Sequence, residues 1–134
     1  MRSHVASIEI AADPADTFAF VADLAKLPSW AIGFAKAIDR DDLGWLVTTA
    51  SGDRIRIKVD ANREHGVVDY VTTAAPGVEL SANTRVVAFN GASLYTFVMQ
   101  QAPAMPDEVF DRQVAELERE LTVLKAQLET SCPL

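Results

Sequence analysis

Phe110, Val114, Leu117, Leu121, Leu124 and Leu128 recur at alternating steps of four and three. That spacing puts them on one face of a helix. It predicts a long final helix from Pro106 to Glu129, roughly 35 Å from end to end at about 1.5 Å per residue. Burying such side chains is worth about 1.5–3 kcal/mol each, so the rest of the chain must offer the stripe an extended apolar surface.

Upstream the period changes from helical to alternating. His4 to Ala11 alternates as a short strand. Asp13-Pro14-Ala15-Asp16 then reads as a helix start, with Asp13 as cap, Pro14 at the first position and Asp16 in the first turn. Phe18, Val21, Ala22 and Ala25 continue it for about three turns. Pro28 breaks it, Ser29 can open a further short turn, and Phe34 to Arg40 reads as a second strand. Trp45–Ala50, Arg54–Ala61, Val67–Thr73, Val78–Phe89 and Ala92–Gln101 follow as strands. The turns between them are Ser51-Gly52-Asp53, Glu64-His65-Gly66, Pro76-Gly77 and Asn90-Gly91. In Arg54–Ala61, Ile55, Ile57 and Val59 alternate with Arg54, Arg56, Lys58 and Asp60, so the sheet has one covered and one wet face. The predicted fold class is α+β: one strand, two short helices, about six further antiparallel strands and a long helix laid across the curved sheet. The first strand finds a partner only by joining an edge, beside the last strand.

At 134 residues the chain fits a single domain spanning 1–134. Apolar residues make up 49% and charged residues 23%, an ordinary globular balance. The net charge of −7 argues against sequence-independent binding to nucleic acid or to anionic membranes. With no membrane-length apolar run and no signal-peptide core, a cytoplasmic protein is expected. The single Cys132 leaves no intrachain disulfide.

Catalytic chemistry has few candidates. His4 and His65 lack neighbours at metal-ligand spacing and read as solvated, and no serine has a nucleophile-elbow context. Asp69 and Tyr70 are adjacent in a strand and point to opposite faces, so they form no dyad. Neither a cofactor motif nor a catalytic set is expected. In the last helix Arg112, Glu116, Arg119, Glu120 and Lys125 read as a charged exterior.

The order of elements resembles the helix-grip fold of the START-like superfamily, which includes polyketide cyclase/dehydrase-like proteins. The similarity runs through Ala11-Ala12-Asp13-Pro14, Leu27-Pro28-Ser29-Trp30-Ala31-Ile32-Gly33-Phe34, Gly44-Trp45, Gly66-Val67-Val68-Asp69-Tyr70, Arg85-Val86-Val87 and Met105-Pro106-Asp107-Glu108. The resemblance implies a curved sheet gripping the long helix, with a cavity between them, open at one end, for a small apolar or aromatic molecule. The residues expected to line it are Trp30, Phe34, Trp45, Tyr70, Tyr95, Phe97, Met99, Phe110 and Val114. Arg85 joins them if its side of the strand faces inward to hold a carboxylate or carbonyl, against the simpler reading of a solvated exterior. Cyclase or dehydratase chemistry in the cavity, and a partner chain bound through the long helix, are the alternatives. Both a monomer and a homodimer are compatible with the sequence.

Overall fold

The computed structural model describes residues 1–134. In chain order the elements are β1 (Ser3–Ile10), α1 (Pro14–Val21), a 3-10 turn (Leu24–Lys26), α2 (Leu27–Trp30), β2 (Ala35–Asp41), β3 (Gly44–Thr49), β4 (Arg54–Asn62), β5 (Val67–Ala75), β6 (Val78–Phe89), β7 (Ala92–Gln100) and α3 (Asp107–Ser131). All seven strands form one antiparallel sheet in the order β1-β7-β6-β5-β4-β3-β2. β1 joins the edge beside β7, with Val5 opposite Val98 and Ile8 opposite Tyr95, as the pairing argument requires. This is the α+β helix-grip arrangement.

Local chemistry accounts for the boundaries. The Asp13 side chain accepts the Ala15 N–H at 2.8 Å and so caps α1. The predicted three-turn helix is shorter, ending at Val21, because the Asp23 side chain accepts the Ala25 N–H and starts a separate 3-10 turn. Pro28 then sits in the first turn of the single-turn α2, where its missing N–H costs nothing. At the β2–β3 turn, Arg56 reaches across from β4 to grip both Asp41 oxygens at 2.7 Å, holding that carboxyl at a pKa of about 2. Gly66 is required at its turn: its φ is +67°, and a Cβ there would stand 2.1 Å from the Val86 carbonyl oxygen.

α3 runs alongside β1. Arg2 pairs with Asp111, His4 with Glu118, and Lys125 donates to both the Glu9 carbonyl and Glu129, which in turn accepts the Ala11 N–H. His4 is therefore half-buried against α3 rather than solvated, because its side chain lies on the inner face of the sheet, in register with Met99. Leu117, Leu121, Leu124 and Leu128 enter one core with Ile10, Val21, Leu27, Trp30, Val47, Val68 and Tyr95. The helical stripe is thus used inside the domain. Phe110 is buried and Val114 half-buried, yet both lie outside that core. The Arg2 guanidinium covers the Phe110 ring at 5.0 Å. No helix is long and apolar enough to cross a membrane.

Candidate functional site

Strand alternation decides which side chains face α3. On β7, Ser93, Tyr95, Phe97 and Met99 face inward, and on β5, Val68, Tyr70 and Thr72 do the same. On β6 the inward set is Leu80, Ala82, Thr84 and Val86. Arg85 belongs to the opposite, outer face. It is exposed and its guanidinium donates to the His65 carbonyl at 3.0 Å. The inward-facing expectation for Arg85 is corrected on that ground: Thr84 and Val86 on either side of it are buried, which fixes the parity of the strand.

Four predicted residues come together beneath α3. Trp30, at the end of α2, sets its ring against Tyr70 (centroids 6.5 Å apart) and edge-on to Tyr95 (6.4 Å, 86°). Phe97 stacks on Tyr70 and meets Tyr95 edge-on, each at 6.4 Å. Tyr70 and Phe97 belong to β5 and β7, with β6 between them. Their rings meet because β6 presents the small Ala82 and Thr84 at this level. Side chains fill the space at this end of the interior, so an open cavity is not what lies there. Beyond it, Phe34, Trp45 and Met99 pack against the core yet stay half-buried. Phe110 and Val114 occupy the first turns of α3, past the point where the core ends.

The polar atoms of the cluster have different partners. Tyr70 donates its hydroxyl to the carbonyl of Val21, the last residue of α1. Thr84 donates to the Val68 carbonyl at 2.6 Å. Ser93 donates to the Ala12 carbonyl and meets the Thr17 hydroxyl at 2.9 Å, tying β7 to the start of α1. The Trp30 indole N–H and the Tyr95 hydroxyl have no partner in good hydrogen-bond geometry. Tyr70 and Thr84 lie near Tyr95; each has given its own proton to a backbone carbonyl, which leaves its oxygen facing the Tyr95 hydroxyl as an acceptor outside good hydrogen-bond geometry. Burial pushes both phenols above the ordinary tyrosine range, so both are neutral at any physiological pH.

Two residues in contact with predicted site residues, Glu120 with Phe34 and Arg40 with Trp45, escaped the sequence reading. Glu120 is a buried carboxyl rather than part of a charged exterior, at 7% exposure. One of its oxygens accepts the N–H groups of Gly33 (3.0 Å) and Phe34 (3.1 Å), fastening the α2–β2 connection to α3. Burial raises its pKa to about 7. Neighbouring Glu116 adds to the rise, while the two N–H groups and Arg119 oppose it. Gly33 fits because α3 passes so close that a Cβ would come within 2.9 Å of Glu116 Oε2. Nothing in a helical period marks one glutamate of several as buried. Arg40 is the second. It pairs with Trp45 on the inner face of the β2 edge and lays its guanidinium 5.1 Å from the ring centroid. Alternation along β2 could have indicated its direction, since Ile38 and Arg40 share a side.

Two surface depressions lie elsewhere. One follows Val123, Gln127 and Thr130 on α3, and the other runs from Pro14 and Phe18 to His65, Arg85 and Val87. Neither reaches the aromatic cluster. No three His, Cys, Asp or Glu side chains gather closely enough to hold a metal ion.

A family model described as polyketide cyclase / dehydrase and lipid transport matches residues 1–129. The chain belongs to this family. Its fold is shared with XoxI from Bacillus cereus (16% identity, TM-score 0.72, 95% of each chain covered). It is also shared with a START superfamily protein from Mycobacterium smegmatis (13% identity, TM-score 0.68, 96% of this chain and 97% of that one). The di-domain aromatase/cyclase BexL from the BE-7585A biosynthetic pathway is similar over 98% of this chain but 48% of its own length (17% identity, TM-score 0.73). No curated protein matches the sequence.

Proposed function

We propose that this member of the polyketide cyclase/dehydrase and lipid transport family binds a small apolar or aromatic molecule between the sheet and α3. The observation that carries the reading is the split in the α3 stripe. Leu117 to Leu128 are sealed into the core, whereas Val114 is only half-buried and Phe110, though buried, lies apart from that core, and Phe34, Trp45, Phe97 and Met99 are likewise only half-buried. A native interior that leaves apolar walls partly uncovered around a few polar atoms has the composition of a ligand site. The helix then serves as a cover over bound ligand.

Binding is favoured over cyclase or dehydratase chemistry because the buried carboxyl near the cluster, Glu120, is taken up by the N–H groups of Gly33 and Phe34, and the two phenols of the cluster are neutral. It is favoured over partner recognition by α3 because the apolar stripe of that helix is turned into the domain.

The test is titration with N-phenyl-1-naphthylamine, whose fluorescence rises in apolar surroundings. The reading predicts saturable binding at one site per chain, abolished by Val114→Trp, which fills the space under the first turns of α3. Ala126→Trp, on the outer depression, leaves it unchanged. Absence of saturable binding, or loss only in the Ala126 variant, contradicts the reading.

A further inference from the structure

The α2–β2 connection, Ala31 to Phe34, is a turn whose tip is open to solvent, with Ile32 45% exposed. The Gly33 N–H has its one acceptor in Glu120 Oε2 at 3.0 Å, whereas the Phe34 N–H is shared between that oxygen (3.1 Å) and the Ala31 carbonyl (3.0 Å). A single buried carboxyl thus ties the tip of this turn to α3. Its surroundings suit the neutral acid better than the carboxylate. Glu120 is buried and forms no ion pair. Glu116, one turn earlier on the same face of α3, brings a second carboxyl to the same place, 2.9 Å from where a Cβ on Gly33 would stand. The exposed Arg119, also on α3, is the cation that opposes it. Neither α2 nor the stretch from Ala31 to Ala35 carries a titratable side chain, and Lys36 on β2 is exposed and unpaired. A carboxylate enclosed in this way loses its hydration, and regains it when the tip of the turn moves outward.

We propose that Glu120 is a proton-operated latch on the α2–β2 connection: the protonated acid holds the turn against α3, and ionisation loosens it so that Gly33 and Phe34 move away from the helix. The carboxylate accepts the two N–H groups more strongly than the acid does, but this gain is smaller than the desolvation that opposes it. The closed turn therefore keeps the proton up to about pH 7, whereas a solvated glutamate releases it near 4.5. Opening accordingly grows as pH rises from about 4.5 and levels off above about 7. Phe34 carries the consequence for the interior, because it shares the latch with Gly33 and is one of the half-buried walls. Acidification closes that wall, and neutral pH frees it to admit a ligand. This consequence rests on the binding reading given above; the latch itself does not.

Amide hydrogen exchange at Gly33 tests the latch without any ligand. Corrected for intrinsic exchange, Gly33 protection in wild type should fall roughly twentyfold between about pH 5.5 and about pH 7.5. It should also stay well below the protection of β5 and β7 amides, which marks an opening confined to the turn. In Glu120→Gln the fall should vanish. In Glu116→Gln it should level off at a lower pH, because the neighbouring charge no longer favours the acid. Gly33 protection that changes by less than about threefold over this range in wild type, or that equals the protection of the β5 and β7 amides, overturns the latch. An equal fall in Glu120→Gln overturns it too. The consequence at Phe34 is read by stopped-flow mixing with N-phenyl-1-naphthylamine, whose association rate should rise over the same pH range in wild type and stay flat in Glu120→Gln. A flat rate in wild type beside pH-dependent exchange overturns the control of access. If the dye does not bind, the binding reading and the control of access fail together, while exchange at Gly33 still decides the latch.

Discussion

Tyr70 and Tyr95 are chemically identical, equally buried and in the same cluster, yet the structure gives them opposite roles. Tyr70 caps the C-terminal end of α1 through Val21, so Tyr70→Phe leaves a buried carbonyl unpaired. Tyr95 has only the poorly aligned oxygens of Tyr70 and Thr84 beside its hydroxyl and binds no backbone group. Chemical denaturation should therefore show Tyr70→Phe destabilised by about 1–3 kcal/mol and Tyr95→Phe unchanged or slightly stabilised. Equal losses in the two variants would show that the Tyr95 hydroxyl is bonded within the protein. Glu120 gives the second residue-scale prediction. Its pKa rises from 4.5 in the unfolded chain to about 7 in the folded one, so the folded state holds more protons between those values. Stability contributed by this group accordingly falls as pH rises from about 4.5 and levels off above about 7, a loss on the order of 3 kcal/mol. Both N–H groups bond to a single oxygen, so the amide of Glu120→Gln can keep both while removing the titration. That variant should match wild type near pH 4.5 and exceed it at pH 8 in urea unfolding; parallel pH profiles for the two proteins would contradict this.

At the scale of elements, α3 is two helices in one. Its later turns join the main core, with Leu124 and Leu128 fully buried, whereas in its first turns Phe110 is buried apart from that core and Val114 is half-buried. Leu124→Ala should cost about 2–5 kcal/mol in denaturant unfolding, and Val114→Ala about 1 kcal/mol or less. Equal costs would mean that the core extends under the whole helix. Most of the architecture was legible in the sequence because it rests on period: the four-three stripe, the alternation in Arg54–Ala61 and the glycine turns each identify an element without tertiary information. The aromatic cluster was legible in part, since alternation along β7 groups Tyr95, Phe97 and Met99. Period could not show the side-chain bonds that cross between elements. The bond from Tyr70 to Val21 and the seat of Glu120 over Gly33 and Phe34 depend on contacts spanning 49, 87 and 86 positions. Arg85 was ambiguous because both faces of Val78–Phe89 carry polar residues, and only the burial of Thr84 and Val86 resolves it.

For the whole molecule, one sheet, one long helix and a connection clamped by Glu120 form a frame. The frame is closed by solid packing at the α2 end and less completely at the start of α3. The family to which the chain belongs is described by polyketide cyclisation, dehydration and lipid transport, and the geometry supports holding a ligand more directly than transforming one. The two tryptophans bracket the proposed site, Trp30 in the packed cluster that borders it and Trp45 half-buried beside Arg40. Their indole N–H resonances are therefore a matched pair of reporters. The decisive measurement is a two-dimensional amide and indole NMR titration with N-phenyl-1-naphthylamine. The account predicts saturable shifts of both indole signals together with backbone signals of β5, β7 and the first turns of α3. Shifts confined to the outer depressions around His65 or Thr130, with both indole signals unmoved, would contradict it.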